Sequence, residues 1–172
     1  MHLFITGEKG VGKSYALTRY LQGIEQSYHG IRTYMSPPKA DGLCHIYGGA
    51  YKDPPLYDEA HLIGRRDQPG RPQAITATFE GLLLGILEEA AAEAEIIVID
   101  ECGFLEREAE RFKAKIFDLL EGETPLLGVL KRYPDPFLQG IAAHPRVLLL
   151  EISVDNREGI PKLIAENLNR IF

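Results

Sequence analysis

The segment that most restricts this chain is Gly7-Glu8-Lys9-Gly10-Val11-Gly12-Lys13-Ser14. An apolar run of five residues, from Met1 to Ile5, precedes it and reads as a buried strand. Behind it, Ala16, Leu17, Tyr20 and Leu21 form a helical stripe between Ser14 and about Gly23. The chain must therefore turn from a strand into a helix through a loop rich in glycine. Glycines let successive backbone amides turn toward one point, where side chains would obstruct an anion. The helix that follows offers its unpaired amino-terminal amides and the positive end of its dipole to the same point. The spacing of Gly, any four residues, then Gly-Lys-Ser adds a lysine for β and γ phosphates and a hydroxyl for a divalent ion. Gly7 to Ser14 is thus expected to bind a nucleoside triphosphate, with Lys13 neutralising charge and Ser14 on magnesium.

The remaining periodicity fits a sheet layered between helices. Ile31–Met35, Ile96–Ile99, Leu126–Leu130 and Val147–Ile152 read as strands, and the β-branched run Ile96-Ile97-Val98-Ile99 as one covered on both faces. Helices are expected from Ala74 to Glu93, from about Leu105 to Leu120, and from Ile160 to Ile171. Between Pro37 and Pro72 lie six of the chain's eleven prolines and five glycines, with apolar patches at Leu43–Tyr47 and His61–Ile63. This stretch reads as a small hairpin or lid inserted in the domain, ending in a mobile Arg65–Arg71 loop. The 172 residues are expected to make one α/β domain, three-layered with a largely parallel central sheet.

Ile99 is followed by two carboxylates, Asp100 and Glu101. Ligands of parallel α/β sheets bind beyond the carboxyl ends of the strands, so both acids are expected to face the phosphate loop. Asp100 suits holding magnesium through its water shell. Glu101, one residue on, suits polarising a water for attack on the γ phosphate. Capping of the next helix is the competing reading of such acids.

With these residues in place, the chain resembles the THEP1-type nucleoside-triphosphatases, small P-loop enzymes. Their second motif runs approximately Ile-Asp-Glu-Ile-Gly-Lys-Met-Glu. Asp100, Glu101, Gly103 and Glu106 match it, while Cys102, Phe104 and Leu105 depart. Val154-Asp155-Asn156-Arg157-Glu158 is similar to the family's Asn-Arg followed by an acid. The family's Gly-Phe-x-Thr-x-Glu-x-Arg stretch is not found between Ile31 and Gly70, which bears on how the nucleotide is clamped. The resemblance implies slow, broad hydrolysis of ATP, GTP and other triphosphates to diphosphate and phosphate.

Other candidates are weaker. Asn156 and Arg157, beyond a strand end, could touch base or ribose, against plain helix capping. Lys131 or Arg132 could sense the γ phosphate, and one of Arg65, Arg66 and Arg71 could serve as an arginine finger. Composition narrows the classes. With 19 basic and 25 acidic side chains the net charge is −6, which argues against nucleic acid and anionic lipid as partners. The most apolar stretch, from Gly81 to Asp100, carries Glu88, Glu89, Glu93 and Glu95, so no membrane span is expected. Two cysteines, Cys44 and Cys102, make neither a disulfide framework nor a zinc site, and the amino terminus lacks a signal-peptide pattern, pointing to the cytoplasm. Two alternatives to a hydrolase remain, a small-molecule kinase whose insertion binds an acceptor, and a nucleotide-binding switch with negligible turnover. The adjacent acids argue against both.

Overall fold

The structure is a computed structural model, and it describes residues 1–168. Eight strands form one sheet: β1 (His2–Thr6), β2 (Tyr28–Met35), β3 (Ile46–Ala50), β4 (Leu62–Arg65), β5 (Gln73–Ala74), β6 (Ile96–Cys102), β7 (Leu126–Leu130) and β8 (Val147–Glu151). Their spatial order is β5-β4-β3-β2-β6-β7-β1-β8. The five strands from β2 to β8 in that order are parallel, and β3, β4 and β5 continue the sheet antiparallel.

Alternation of side chains along these strands explains the layering. On one face Leu3, Ile5, Ile96, Val98, Leu127 and Val129 pack against α1 (Lys13–Leu21) and the closing helix Ile160–Leu168. On the other, Phe4, Ile97, Ile99, Leu126 and Leu130 pack against Leu83, Leu87, Phe112, Ile116 and Ile141 of the remaining helices. A strand buried on both faces is mostly apolar, which is why β7 and the Leu3–Ile5 centre of β1 read as unbroken runs; buried His2 is satisfied by the Leu120 carbonyl and the Leu126 amide. The outcome is a three-layer α/β fold with a mostly parallel sheet.

Several boundaries differ from the sequence reading. The insertion adds β3 and β4 to the sheet edge beside β2, which itself starts at Tyr28 rather than Ile31. The helix expected from Ala74 begins at Thr76, because Ala74 pairs with Gly64 and the Ile75 amide donates to the Ile63 carbonyl at 2.9 Å. It continues through a π-helical stretch, Phe79–Leu83, into Leu84–Glu93. From that stretch Glu80 accepts from the amides of Arg111 and Phe112. The helix expected from Leu105 therefore starts at Glu110, capped by a carboxylate from another helix, and ends at Glu121. A further helix, Pro136–Ala142, was not anticipated, although Asp135 as cap and Pro136 at the first position mark its start. Of the last expected helix, Asn169 to Ile171 lie outside the described residues. Among the described residues no helix is long and apolar enough to cross a membrane.

Candidate active site

The loop after β1 takes the conformation its glycines allow. Gly10 and Gly12 have φ of +79° and +106°, left-handed values that side-chain-bearing residues avoid. Lys13, first residue of α1, folds back over the loop and donates from Nζ to the Gly7 carbonyl at 3.0 Å and the Glu8 carbonyl at 2.9 Å. Burial pushes its ammonium below the usual lysine range, and nearby Glu101 works against that shift. Val11 is buried in the core under the loop, while Glu8 and Lys9 are exposed.

Ser14 and Asp100 meet across the sheet. Ser14 Oγ donates to Asp100 Oδ1 at 2.7 Å, joining the start of α1 to the end of β6. Strand β7 lies between β1 and β6, so the two motifs approach one another over the carboxyl end of an intervening strand. Burial raises the Asp100 carboxyl to about 6, with the Ser14 hydroxyl pulling the other way. The Ser14 hydroxyl, which is exposed, and the buried Asp100 carboxylate are hard oxygen donors, suited to a divalent cation that draws its other ligands from water and phosphate. Among the described residues no group of three or more His, Cys, Asp or Glu is placed to hold a metal ion.

Beyond Asp100 the pairing of β6 with β7 shifts register before Cys102, leaving Glu101 opposite no residue of β7. An irregularity of this kind re-aims a side chain at a strand end. Glu101 Oε1 accepts from Lys131 Nζ at 3.1 Å. Lys131, expected as a phosphate sensor, thus has a carboxylate partner at this end of the sheet. Its neighbour Arg132 pairs with Glu8 at 2.8 Å and with Glu151, bracing the phosphate loop against β8. Asn156 is used within the turn after β8: Oδ1 accepts from the Ser153 amide at 2.8 Å and Nδ2 donates to the Glu151 carbonyl at 2.9 Å. Arg157 lies 3.7 Å from Glu158.

The arginines of the insertion separate. Arg65 pairs with Glu59, the Arg66 amide donates to His45 Nδ1, and Arg71 lies over the Tyr133 ring at 5.2 Å. Arg71 thereby reaches the segment beyond β7. Two residues without an assigned role belong to this neighbourhood. Arg32 on β2 is the register partner of Asp100, donates to the Asp53 carbonyl, and lowers the carboxyl's affinity for its proton. Glu106 is buried and accepts from the Gly103 amide at 3.0 Å. Its spacing from Gly103 was visible in sequence; its enclosure was not.

Comparison with known proteins agrees with this geometry. A family model described as NTPase matches residues 2–165. The nucleoside-triphosphatase THEP1 of Thermotoga petrophila is 25% identical over 169 residues, covering 95% of this chain and 90% of its own. The crystal structure of THEP1 from Aquifex aeolicus superposes with a TM-score of 0.77 at 22% identity, covering 99% of this chain and 100% of the other. The solution structure of a human cancer-related nucleoside triphosphatase gives a TM-score of 0.71 at 20% identity, covering 98% and 97%. A glycine loop closed by a lysine, a serine tied to an aspartate across the sheet, and a match along nearly the whole chain have one reading: the protein belongs to the THEP1-type nucleoside-triphosphatases, P-loop enzymes that hydrolyse nucleoside triphosphates.

Proposed function

We propose that the chain is a magnesium-dependent hydrolase of ATP, GTP and other nucleoside triphosphates, releasing diphosphate and phosphate, in which Glu101 orients and polarises the attacking water. The observation that carries this reading is the Ser14–Asp100 hydrogen bond at 2.7 Å, with a second carboxylate on the very next residue. In this reading the amides from Gly7 to Lys13 cradle the phosphates, including those of Glu8, Lys9, Gly10, Val11 and Gly12. Lys13 exchanges its two carbonyl partners for β and γ oxygens. Ser14 and Asp100 hold the metal, which supplies positive charge against the phosphate oxygens. Glu101 accepts a hydrogen bond from water, and Lys131 fixes the carboxylate's direction. Asn156 contributes by shaping the turn beside the nucleotide. A cytoplasmic setting belongs to the same reading, supported by Cys44 and Cys102 as free thiols.

The test is steady-state phosphate release from ATP, GTP, CTP and UTP with magnesium, for wild type beside Lys13→Ala and Glu101→Gln. Lys13→Ala should abolish release with the fold intact. Glu101→Gln should bind nucleotide normally and lose at least about a hundred-fold in turnover, the scale of a lost general base. Wild-type turnover in Glu101→Gln removes that residue from the mechanism. Transfer of the phosphate to a metabolite, with negligible release to water, replaces the hydrolase by a kinase.

A further inference from the structure

A second acid stands behind Glu101. Where β6 ends, a small cleft of about 40 Å³ is lined by Thr33, Glu101, Phe104, Leu105, Glu106 and Lys131. At 10–15 Å³ for each water, it has room for roughly three. Glu106 is 3% exposed. Its Oε1 accepts from the Gly103 amide at 3.0 Å, and its Oε2 is buried with no hydrogen-bond partner among the described residues. Buried carboxyl oxygens are normally satisfied, and Glu106 lines a mixed cleft, walled also by Ile46 and Ile63, in which a bound water is the available partner for the one that is not.

We propose that Glu106 is a positioning residue for hydrolysis: its free Oε2 anchors water in this cleft, and that water in turn fixes Glu101 and the water it polarises. The inference rests on the role given to Glu101 above. The division of labour follows from exposure. The Glu101 side chain is 25% exposed and already tied to Lys131, so one of its contacts is set from the β7 side. Glu106, held by the Gly103 amide in the turn after β6, sets the other from within the cleft. Thr33 on β2 also lines the cleft and carries a hydroxyl able to donate or accept. The charged and titratable groups facing Glu106 are Glu101 and Cys102 of β6 and Lys131 beyond β7. In the reaction the water oxygen bonds to the γ phosphorus. The bond to the β–γ bridging oxygen breaks and its electron pair leaves with the diphosphate. The water's proton departs by way of Glu101. Glu106 breaks no bond; it narrows the orientations open to the attacking water.

Glu106→Gln, assayed at pH 8 where the carboxyl is ionised, is the sharpest test, because it keeps size and the acceptor for Gly103 but puts a donor where Oε2 accepts. With magnesium–ATP, kcat in single- and multiple-turnover assays should fall about ten-fold. KM and the calorimetric affinity should stay within two-fold, and the melting temperature should not drop. Thr33→Val, which leaves the Glu106 turn untouched, should lower kcat in the same direction and decides the matter if Glu106→Gln does not fold. Wild-type kcat in either folded variant overturns the inference, and so does a loss confined to KM. Glu101→Gln is assayed alongside. If it is inactive while Glu106→Gln turns over normally, only the present inference falls; if Glu101→Gln keeps full turnover, both fall together.

Discussion

Glu106 carries a cost that can be measured without any substrate. Burial lifts its carboxyl to about 7 from an ordinary value near 4.5. The folded chain then holds this proton more tightly than the unfolded chain does, so stability falls as pH rises from about 4.5 to about 7. Glutamine has no proton to lose there. Glu106→Gln should therefore match wild type in urea unfolding at pH 4.5 and exceed it at pH 8, by on the order of 3 kcal/mol. Asp100 titrates in part of the same range in both proteins and cancels in the difference. An equal gain at both pH values would mean that the carboxyl keeps ordinary affinity for its proton. Residues of this kind were the least legible in sequence. Lys13, Ser14 and Asp100 could be read because each belongs to a short local pattern. The Lys131–Glu101 pair spans 30 positions and exists only because β7 lies beside β6. The two turn hydrogen bonds of Asn156, to the Ser153 amide and the Glu151 carbonyl, likewise depend on how the chain bends after β8, as is common for short polar side chains in turns.

Elements were legible where one face or both had to be buried, and illegible where a tertiary partner set the boundary. β1, β6 and β7 follow from their apolar runs; β8, which reads as a buried strand, lies at the sheet edge with Leu149 exposed. The start of the helix at Glu110 depends on Glu80, about 30 residues earlier, and no pattern near Leu105 announces that. The Pro/Gly-rich insertion was recognisable as irregular, but its strands are too short and mixed for period-2 reading, and the edge of β2 supplies their order. β7 shows how closely these elements meet. Gly128 faces Phe4 of β1, and a methyl group built on it would stand 2.5 Å from the ring. Gly128→Ala should therefore destabilise by about 1–3 kcal/mol, the cost of overpacking a filled core. Phe4→Leu alone should also destabilise, by opening space, while the double variant should recover part of the sum. Chemical unfolding of all four proteins measures the coupling, and strict additivity would mean that the ring moves aside at no cost.

The position of the candidate site within the whole molecule makes binding and unfolding inseparable. The phosphate loop, Ser14, Asp100 and Glu101 sit at the ends of β1 and β6, which flank β7 near the middle of the eight-stranded sheet, and both core layers reach these strands. An unfolded chain cannot gather loop amides, Lys13 and two oxygen donors contributed by segments some 86 positions apart. A magnesium–triphosphate complex should then bind the native state alone. At a hundred times its dissociation constant it stabilises by about 2.7 kcal/mol. For a chain of this size that corresponds to a rise of roughly 5–10 °C in melting temperature. The shift should be largest with magnesium and nucleotide together, and it should vanish in Lys13→Ala. Glu101→Gln should retain it in full, because its proposed role begins only when water attacks. With a net charge of −6, the protein repels polyphosphate at long range, so the shift must come from short-range contacts and should weaken little as salt rises. A thermal shift that disappears at moderate salt would place the nucleotide on an exposed patch instead of in the loop, and would remove the electrostatic argument for the site.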